Sequence, residues 1–242
     1  MKLKDLQSNW NRMGKDDPLW AVSTAPQYKN NQWDPEEFFA TGREEIAEAI
    51  ASTTLVVPDL ARSAALDFGA GVGRLTQALA EHFESVTGVD IAPAMIEHAR
   101  SYNKHGDRVQ YLLNEQEDLA LLPDSSFDFI YSAITLMHME PRYSSRYIAE
   151  FVRLLKPGGV AMFQIPEPTD RQVLRDRFPR WFVYAVNRVR TIREPMMEVH
   201  GVARTEVEQI VGKSGGRIVE TQARPAAHGA PSDYAYWVSP VV

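Results

Sequence analysis

Two carboxylates and a run of glycines carry the chemistry in this chain. Asp67 closes a short apolar stretch, Ala64-Ala65-Leu66-Asp67-Phe68, and Gly69, Gly71 and Gly73 follow at alternate positions, with Ala70 between the first two. Asp90 closes a second apolar stretch, Val86-Thr87-Gly88-Val89-Asp90. Glycines let a ligand approach the main chain closely. A helix opening directly after them presents unpaired N–H groups and the positive end of its dipole. An acid about 20 residues further on, at the end of the next strand, falls where a parallel β-α-β unit meets a ribose hydroxyl pair. The chemistry implied is the binding of a nucleoside-containing molecule. His138, in Leu136-Met137-His138-Met139-Glu140, is the first candidate to move a proton, because an imidazole with a pKa of about 6.5 suits that task near neutral pH. His200, before Gly201, is the second, and Glu140 and Glu167 are weaker options.

These groups need a scaffold, and the periodicity supplies one. Leu75, Leu79 and Phe83 recur every four residues with Ala78 between them, a buried helical stripe after the glycines. Pro93 opens the helix that follows Asp90. Val109 to Leu113 reads as a third strand. Phe127 to Ser132 is the fourth, entered through Leu122-Pro123-Asp124-Ser125-Ser126. Arg142 to Leu155 is a helix with Ile148, Phe151, Val152 and Leu155 on one face, ended by Lys156-Pro157-Gly158-Gly159 before a fifth strand, Val160 to Ile165. Thr205-Glu206-Val207-Glu208 reads as a capping box for a later helix, and Ile218 to Thr221 with Tyr234 to Val238 as two closing strands. Upstream, Asp34-Pro35-Glu36-Glu37 starts a helix running to about Ser52, burying Phe39, Ile46 and Ile50 and interrupted early by Gly42-Arg43. Residues 1–33 read as an irregular arm whose Trp10, Trp20, Tyr28 and Trp33 pack on the body, as anchors or as a lid.

Two details decide between nucleotide cofactors. The dinucleotide fingerprint G-x-G-x-x-G requires a small residue at position 74, and this chain has Arg74. Asp67, two residues before the first glycine, is awkward beside a pyrophosphate and well placed for an ammonium. The pattern D-x-G-x-G-x-G, the strand ending in Asp90, the L-P-x-x-S-F-D stretch and the L-K-P-G-G turn together resemble the class I S-adenosylmethionine (SAM) dependent methyltransferases. The resemblance covers residues 40–165 by motif and 204–240 by layout. It implies an α/β, Rossmann-like fold, a mostly parallel seven-stranded sheet with an antiparallel last strand. It implies SAM as cofactor and S-adenosylhomocysteine as product. It places the cofactor against Asp67, Gly69, Ala70, Gly71 and Gly73, with Asp90 on the ribose and Ile91 and Met95 on the adenine. Glu115 would accept the adenine amino group, the Gln116 N–H would meet the ring, Ser132 would leave the sheet beside the methyl donor, and Arg43 would reach the cofactor carboxylate.

Composition narrows the remaining classes. The net charge of −6 argues against broad nucleic-acid binding, and the absence of cysteine excludes disulfides and thiolate chemistry. No His/Asp/Glu cluster has metal-ligand spacing. Without a signal-like N-terminus or a membrane-length apolar run, the expectation is a cytoplasmic protein. One domain spans 1–242: arm and helix (1–52), SAM-binding core (53–165), a variable substrate cover (166–203) and a C-terminal helix with a β-hairpin (204–242). The cover carries seven arginines between Arg171 and Arg193. The expected acceptor is a small molecule with an O, N or C nucleophile, and its identity and the oligomeric state stay open. RNA or protein methylation, an NAD-dependent oxidoreductase and a non-catalytic SAM-binding protein are the alternatives.

Overall fold

A computed structural model describes residues 2–169, 172, 198–225 and 232–241. The proposed cover segment falls mostly outside these residues, as does the loop between the last two strands.

The core is a seven-stranded sheet. Its strands are β1 (Ala64–Phe68), β2 (Ser85–Asp90), β3 (Val109–Leu113), β4 (Phe127–Ser132), β5 (Leu155–Pro166), β6 (Gly216–Arg224) and β7 (Asp233–Pro240). They lie in the order β3-β2-β1-β4-β5-β7-β6. β1 to β5 are parallel, and β7 runs antiparallel to both β5 and β6. This is the expected sheet with its antiparallel last strand. The strand order reverses between β1 and β4, and open α/β sheets hold their ligands beyond the C-terminal strand ends at such a reversal. The central strands are buried on both faces and so read as continuous apolar runs rather than alternating ones.

Helices cover the two faces: α1 (Leu3–Asp16), α2 (Pro18–Val22), α3 (Pro35–Val56), α4 (Arg74–Leu79), α5 (Pro93–Tyr102), α6 (Pro141–Leu154) and α7 (Arg204–Lys213). One face packs Phe151, Ile148, Val152 and Val207 against Leu66, Ile130 and Phe163. The other packs Ile46, Leu75, Leu79 and Ile96 against Ala65, Phe129 and Trp237.

Four local expectations are corrected. Residues 3–22 are largely helical, and Leu3, Leu6 and Met13 form a buried stripe at helical spacing with Trp10 packed beside it. Gly42 does not interrupt α3. A Cβ there would lie 2.6 Å from the Arg74 carbonyl oxygen, so the glycine lets α3 and α4 touch. Thr205 caps nothing: α7 begins at Arg204, whose N–H is taken by Glu167 Oε1 at 3.1 Å. The Lys156–Gly159 turn lies within β5, where the ladder to β4 jumps from Leu155 to Val160.

Among the described residues no helix is long and apolar enough to cross a membrane.

Candidate active site

Beyond the ends of β1 and β4 lies a cavity of about 580 Å³, within the usual range of about 300–1,000 Å³ for small-molecule sites. Gly69, Ala70 and Gly71 form one wall, Asp90, Ile91 and Met95 another, and Ala133 to Thr135, His138 and Met139 a third. The local sequence explains the glycine wall. Gly69 and Gly71 have φ of +85° and +53°, and a Cβ on Gly69 would sit 2.1 Å from the Thr135 hydroxyl oxygen. The turn after β1 therefore needs glycine both for its backbone angles and for the close approach of the β4 loop.

Asp90 holds the floor. Its Oδ2 accepts the Gly71 N–H at 2.9 Å and its Oδ1 accepts the Ala92 N–H at 2.8 Å. Burial raises its pKa, and these backbone donors act against that rise. Asp67 lies beneath the turn rather than on the cavity wall. It is 1% exposed and accepts the Thr76 hydroxyl at 2.6 Å. Burial pushes its carboxyl up to about 7, against the Thr76 hydrogen bond.

Several expected residues lie elsewhere. Arg43 is partly exposed and pairs with Glu36 at 3.4 Å. Arg74, which the sequence reading used only to disfavour a dinucleotide, lines the cavity instead. Its Nη2 donates to Glu45 at 2.7 Å and its Nη1 to Thr41 at 3.3 Å, while its buried Nε has no hydrogen-bond partner among the described residues. Tyr131 donates to the same Glu45 carboxylate. The Ser132 hydroxyl is buried and bonded to the Phe68 carbonyl at 3.0 Å. Gly73 starts α4 with φ of +88°, against Tyr111. Glu115 accepts from Gln7 Nε2 at 2.5 Å, and the Gln116 N–H is turned onto Asn114 Oδ1 at 3.3 Å. Glu115, Gln116, Ser132 and Gly73 do not line this cavity.

His138 does line it. Its Nδ1 is 2.9 Å from the Glu198 carbonyl oxygen. A carbonyl only accepts, so Nδ1 carries the proton and the lone pair of the neutral ring sits on Nε2. His200 is 2% exposed, pairs with the Glu198 carboxylate at 3.0 Å, and is absent from the cavity wall; its N–H holds the Met137 carbonyl. It fastens the segment behind His138 rather than approaching from an opposite wall.

The arm completes the enclosure. Leu6, Trp10 and residues 21–25 border the cavity. A Cβ on Gly71 would lie 2.9 Å from a Val22 methyl, so the arm rests directly on the glycine turn. The Trp33 and Trp20 indoles donate to the Ser23 and Ala25 carbonyls at 3.1 and 3.2 Å and hold this loop in place. A helical spacing of Leu3, Leu6, Trp10 and Met13 was present in the sequence to signal the first half of this roof.

A methyltransferase-domain family model matches residues 66–163. A ubiquinone biosynthesis O-methyltransferase of Xanthomonas oryzae pv. oryzae (strain PXO99A) is 36% identical over 104 residues, covering 42% of each chain. The chain thus matches less than half the length of that relative. A methyltransferase of Geobacillus sp. (strain WCH70) is 31% identical over 157 residues, covering 64% of this chain and 68% of its own. The fold is shared with magnesium protoporphyrin IX methyltransferase of Synechocystis PCC 6803, solved with S-adenosylhomocysteine, at a TM-score of 0.64, 16% identity, and coverage of 98% and 99%. With the sheet order, the glycine turn and Asp90 already in place, these matches show that the chain belongs to the class I SAM-dependent methyltransferases.

Proposed function

We propose that this protein transfers the methyl group of SAM to a nucleophilic atom of a small molecule. The observation that carries the proposal is the meeting of Gly69, Gly71, Asp90, Ile91, Met95 and His138 on one cavity at the strand-order reversal. The residues present fit the cofactor. Two glycines admit close approach to the main chain, an acid at the end of β2 suits a ribose hydroxyl pair, and apolar Ile91 and Met95 suit an adenine face. Arg74, with a buried Nε lacking a hydrogen-bond partner among the described residues, suits a carboxylate better than Arg43 does. When bound, SAM supplies an activated methyl group.

The chain's own work is then to orient, to exclude water and, for a protic acceptor, to take a proton. Leu6, Trp10, Val22 and the 23–25 loop border the cavity where they can help to keep water from it. His138, proton-bearing at Nδ1 through the Glu198 carbonyl, can accept a proton at Nε2. The relative named for O-methylation in ubiquinone biosynthesis favours an oxygen acceptor. A thermal-shift panel of SAM, S-adenosylhomocysteine and NAD tests the cofactor reading, since a ligand of the native state raises its melting temperature. Stabilisation by the two SAM-type ligands is expected. Stabilisation by NAD alone would overturn it. Mass spectrometry of SAM with a metabolite library then identifies the acceptor, and methylation only of RNA or protein would move the proposal to that class.

A further inference from the structure

We propose that Ile134 is a recognition residue for the acceptor, and that the acceptor carries its hydroxyl on an apolar carbon frame, as a phenol does. This deepens the reading of the cavity as a methyl-transfer site and rests on it. Ile134 has a φ of +55°. A β-branched residue in that region is a steric outlier. The other non-glycine residues with positive φ among the described residues are Asn30, Asn31 and Ser125, all of turn-forming types. The neighbours of Ile134 show why the backbone turns here. Ser132 ends β4 paired with Phe163, and its hydroxyl is bonded to the Phe68 carbonyl. The Thr135 side chain is seated on Gly69, its hydroxyl donates to the Ala133 carbonyl at 3.0 Å, and its carbonyl accepts the His138 N–H at 3.0 Å. Position 134 is held on both sides and absorbs the turn between them. Glycine or asparagine takes such a backbone readily, and isoleucine takes it under strain.

The side chain gains little from packing in return. Ile134 is 45% exposed and borders the cavity. Leu55, Leu113, Leu121 and Val241 are exposed as well, and none of them borders it. A single exposed apolar side chain needs no explanation. One that is also strained and stands on a cavity wall has neither burial nor turn chemistry to account for it, and contact with a ligand does account for it. The rest of the wall states the kind of ligand. Asp90 and Arg74 serve the ribose and the carboxylate of the cofactor in the reading above, and Glu45 is taken up by Arg74 and Tyr131. Among the described residues this leaves the acceptor an apolar surface that includes Trp10, Val22, Ile134 and Met139, with His138 as a polar group. A charged acceptor would lose its hydration there without a counter-charge. A hydroxyl on an apolar frame would bury that frame.

The test uses the full chain with isoleucine δ1 methyl groups labelled for NMR, titrated with 4-propylphenol and with ethanolamine, with and without S-adenosylhomocysteine. The Ile134 methyl signal is the one missing in Ile134→Asn. It should shift with the phenol and stay in place with ethanolamine. Ile134→Asn and Ile134→Gly should weaken phenol binding about ten-fold, and Ile134→Val should hold within about two-fold. Asparagine and glycine suit the backbone, so the urea midpoints of both variants should equal or exceed that of wild type, and calorimetric affinity for S-adenosylhomocysteine should stay within about two-fold. Unchanged phenol affinity in Ile134→Asn overturns the proposal, as does tighter binding of ethanolamine than of the phenol. Lowered urea midpoints in both variants would make Ile134 a packing residue, and an equal loss of S-adenosylhomocysteine would assign it to the cofactor; either overturns the proposal. A wild-type protein that binds the phenol at Ile134 but neither SAM nor S-adenosylhomocysteine would retire the methyltransferase reading alone and leave the recognition site standing.

Discussion

The Asp90 carboxylate accepts the Gly71 N–H at 2.9 Å, joining the end of β2 to the middle of the glycine turn after β1. One acid therefore shapes the turn and borders the cavity, and its other oxygen starts α5 through Ala92. Asp90→Ala should weaken SAM binding by roughly 1.5–3 kcal/mol, the range for a charge-assisted hydrogen bond. Isothermal calorimetry on the folded variant measures it, and an unchanged affinity would remove Asp90 from the site.

Arg74 should distinguish ligands by their amino acid end. Arg74→Lys loses the planar fork held by Glu45 and Thr41. Affinity for SAM and S-adenosylhomocysteine should fall about ten-fold, roughly 1.4 kcal/mol. Affinity for 5′-methylthioadenosine, which lacks the carboxylate, should hold. An equal loss for all three would mean that Arg74 acts through packing.

His138→Gln and His138→Ala should lower turnover at saturating SAM by about 10²-fold or more if a base is used. The acidic limb of the pH profile should disappear with it. Normal SAM binding with turnover within a few-fold of wild type would make the residue structural.

Asp67 predicts a pH slope in stability. Its native pKa of about 7 lies above the unfolded value of 3.8, so the folded state binds the extra proton. Stability should therefore fall as pH rises from about 4 to about 7 and level off above, a change on the order of 1–4 kcal/mol. Asp67→Asn should flatten that slope and be the more stable protein at pH 8. Urea denaturation across the pH range decides it, and a wild-type curve that rises through the same window would contradict the assignment.

Two glycine substitutions should move stability in opposite directions. Gly42→Ala forces a methyl onto the Arg74 carbonyl and should cost about 1–3 kcal/mol. Gly212→Ala, in α7 with nothing within 4 Å of its added methyl, should gain about 0.5–1 kcal/mol. Denaturant midpoints of the two variants test the close approach of α3 to α4.

By itself the sequence determined the succession of strands along the chain, the glycine turn and the acid at the end of β2. These depend on neighbours in the chain: a buried strand must be apolar, a strand-to-helix turn with positive φ needs glycine, and an acid at the next strand end lands beside that turn. The family motifs added the expected antiparallel last strand. What only tertiary structure decided involves residues far apart. Ala92 lacks a capping side chain, and the Ala94 N–H is satisfied from Asn11, 83 positions away. Gly42 reads as a helix breaker until α4 arrives against it. Arg43 and Arg74 are equal as letters, and only the packing of α3 on α4 turns one to Glu36 and the other to the cavity. Residues 1–33 read as an irregular arm although Leu3, Leu6, Trp10 and Met13 stand at helical spacing, and nothing local stated that this stripe ends over the glycine turn. Periodicity states that a face is buried, and the partner that buries it is chosen by the three-dimensional fit of side chains no local pattern connects.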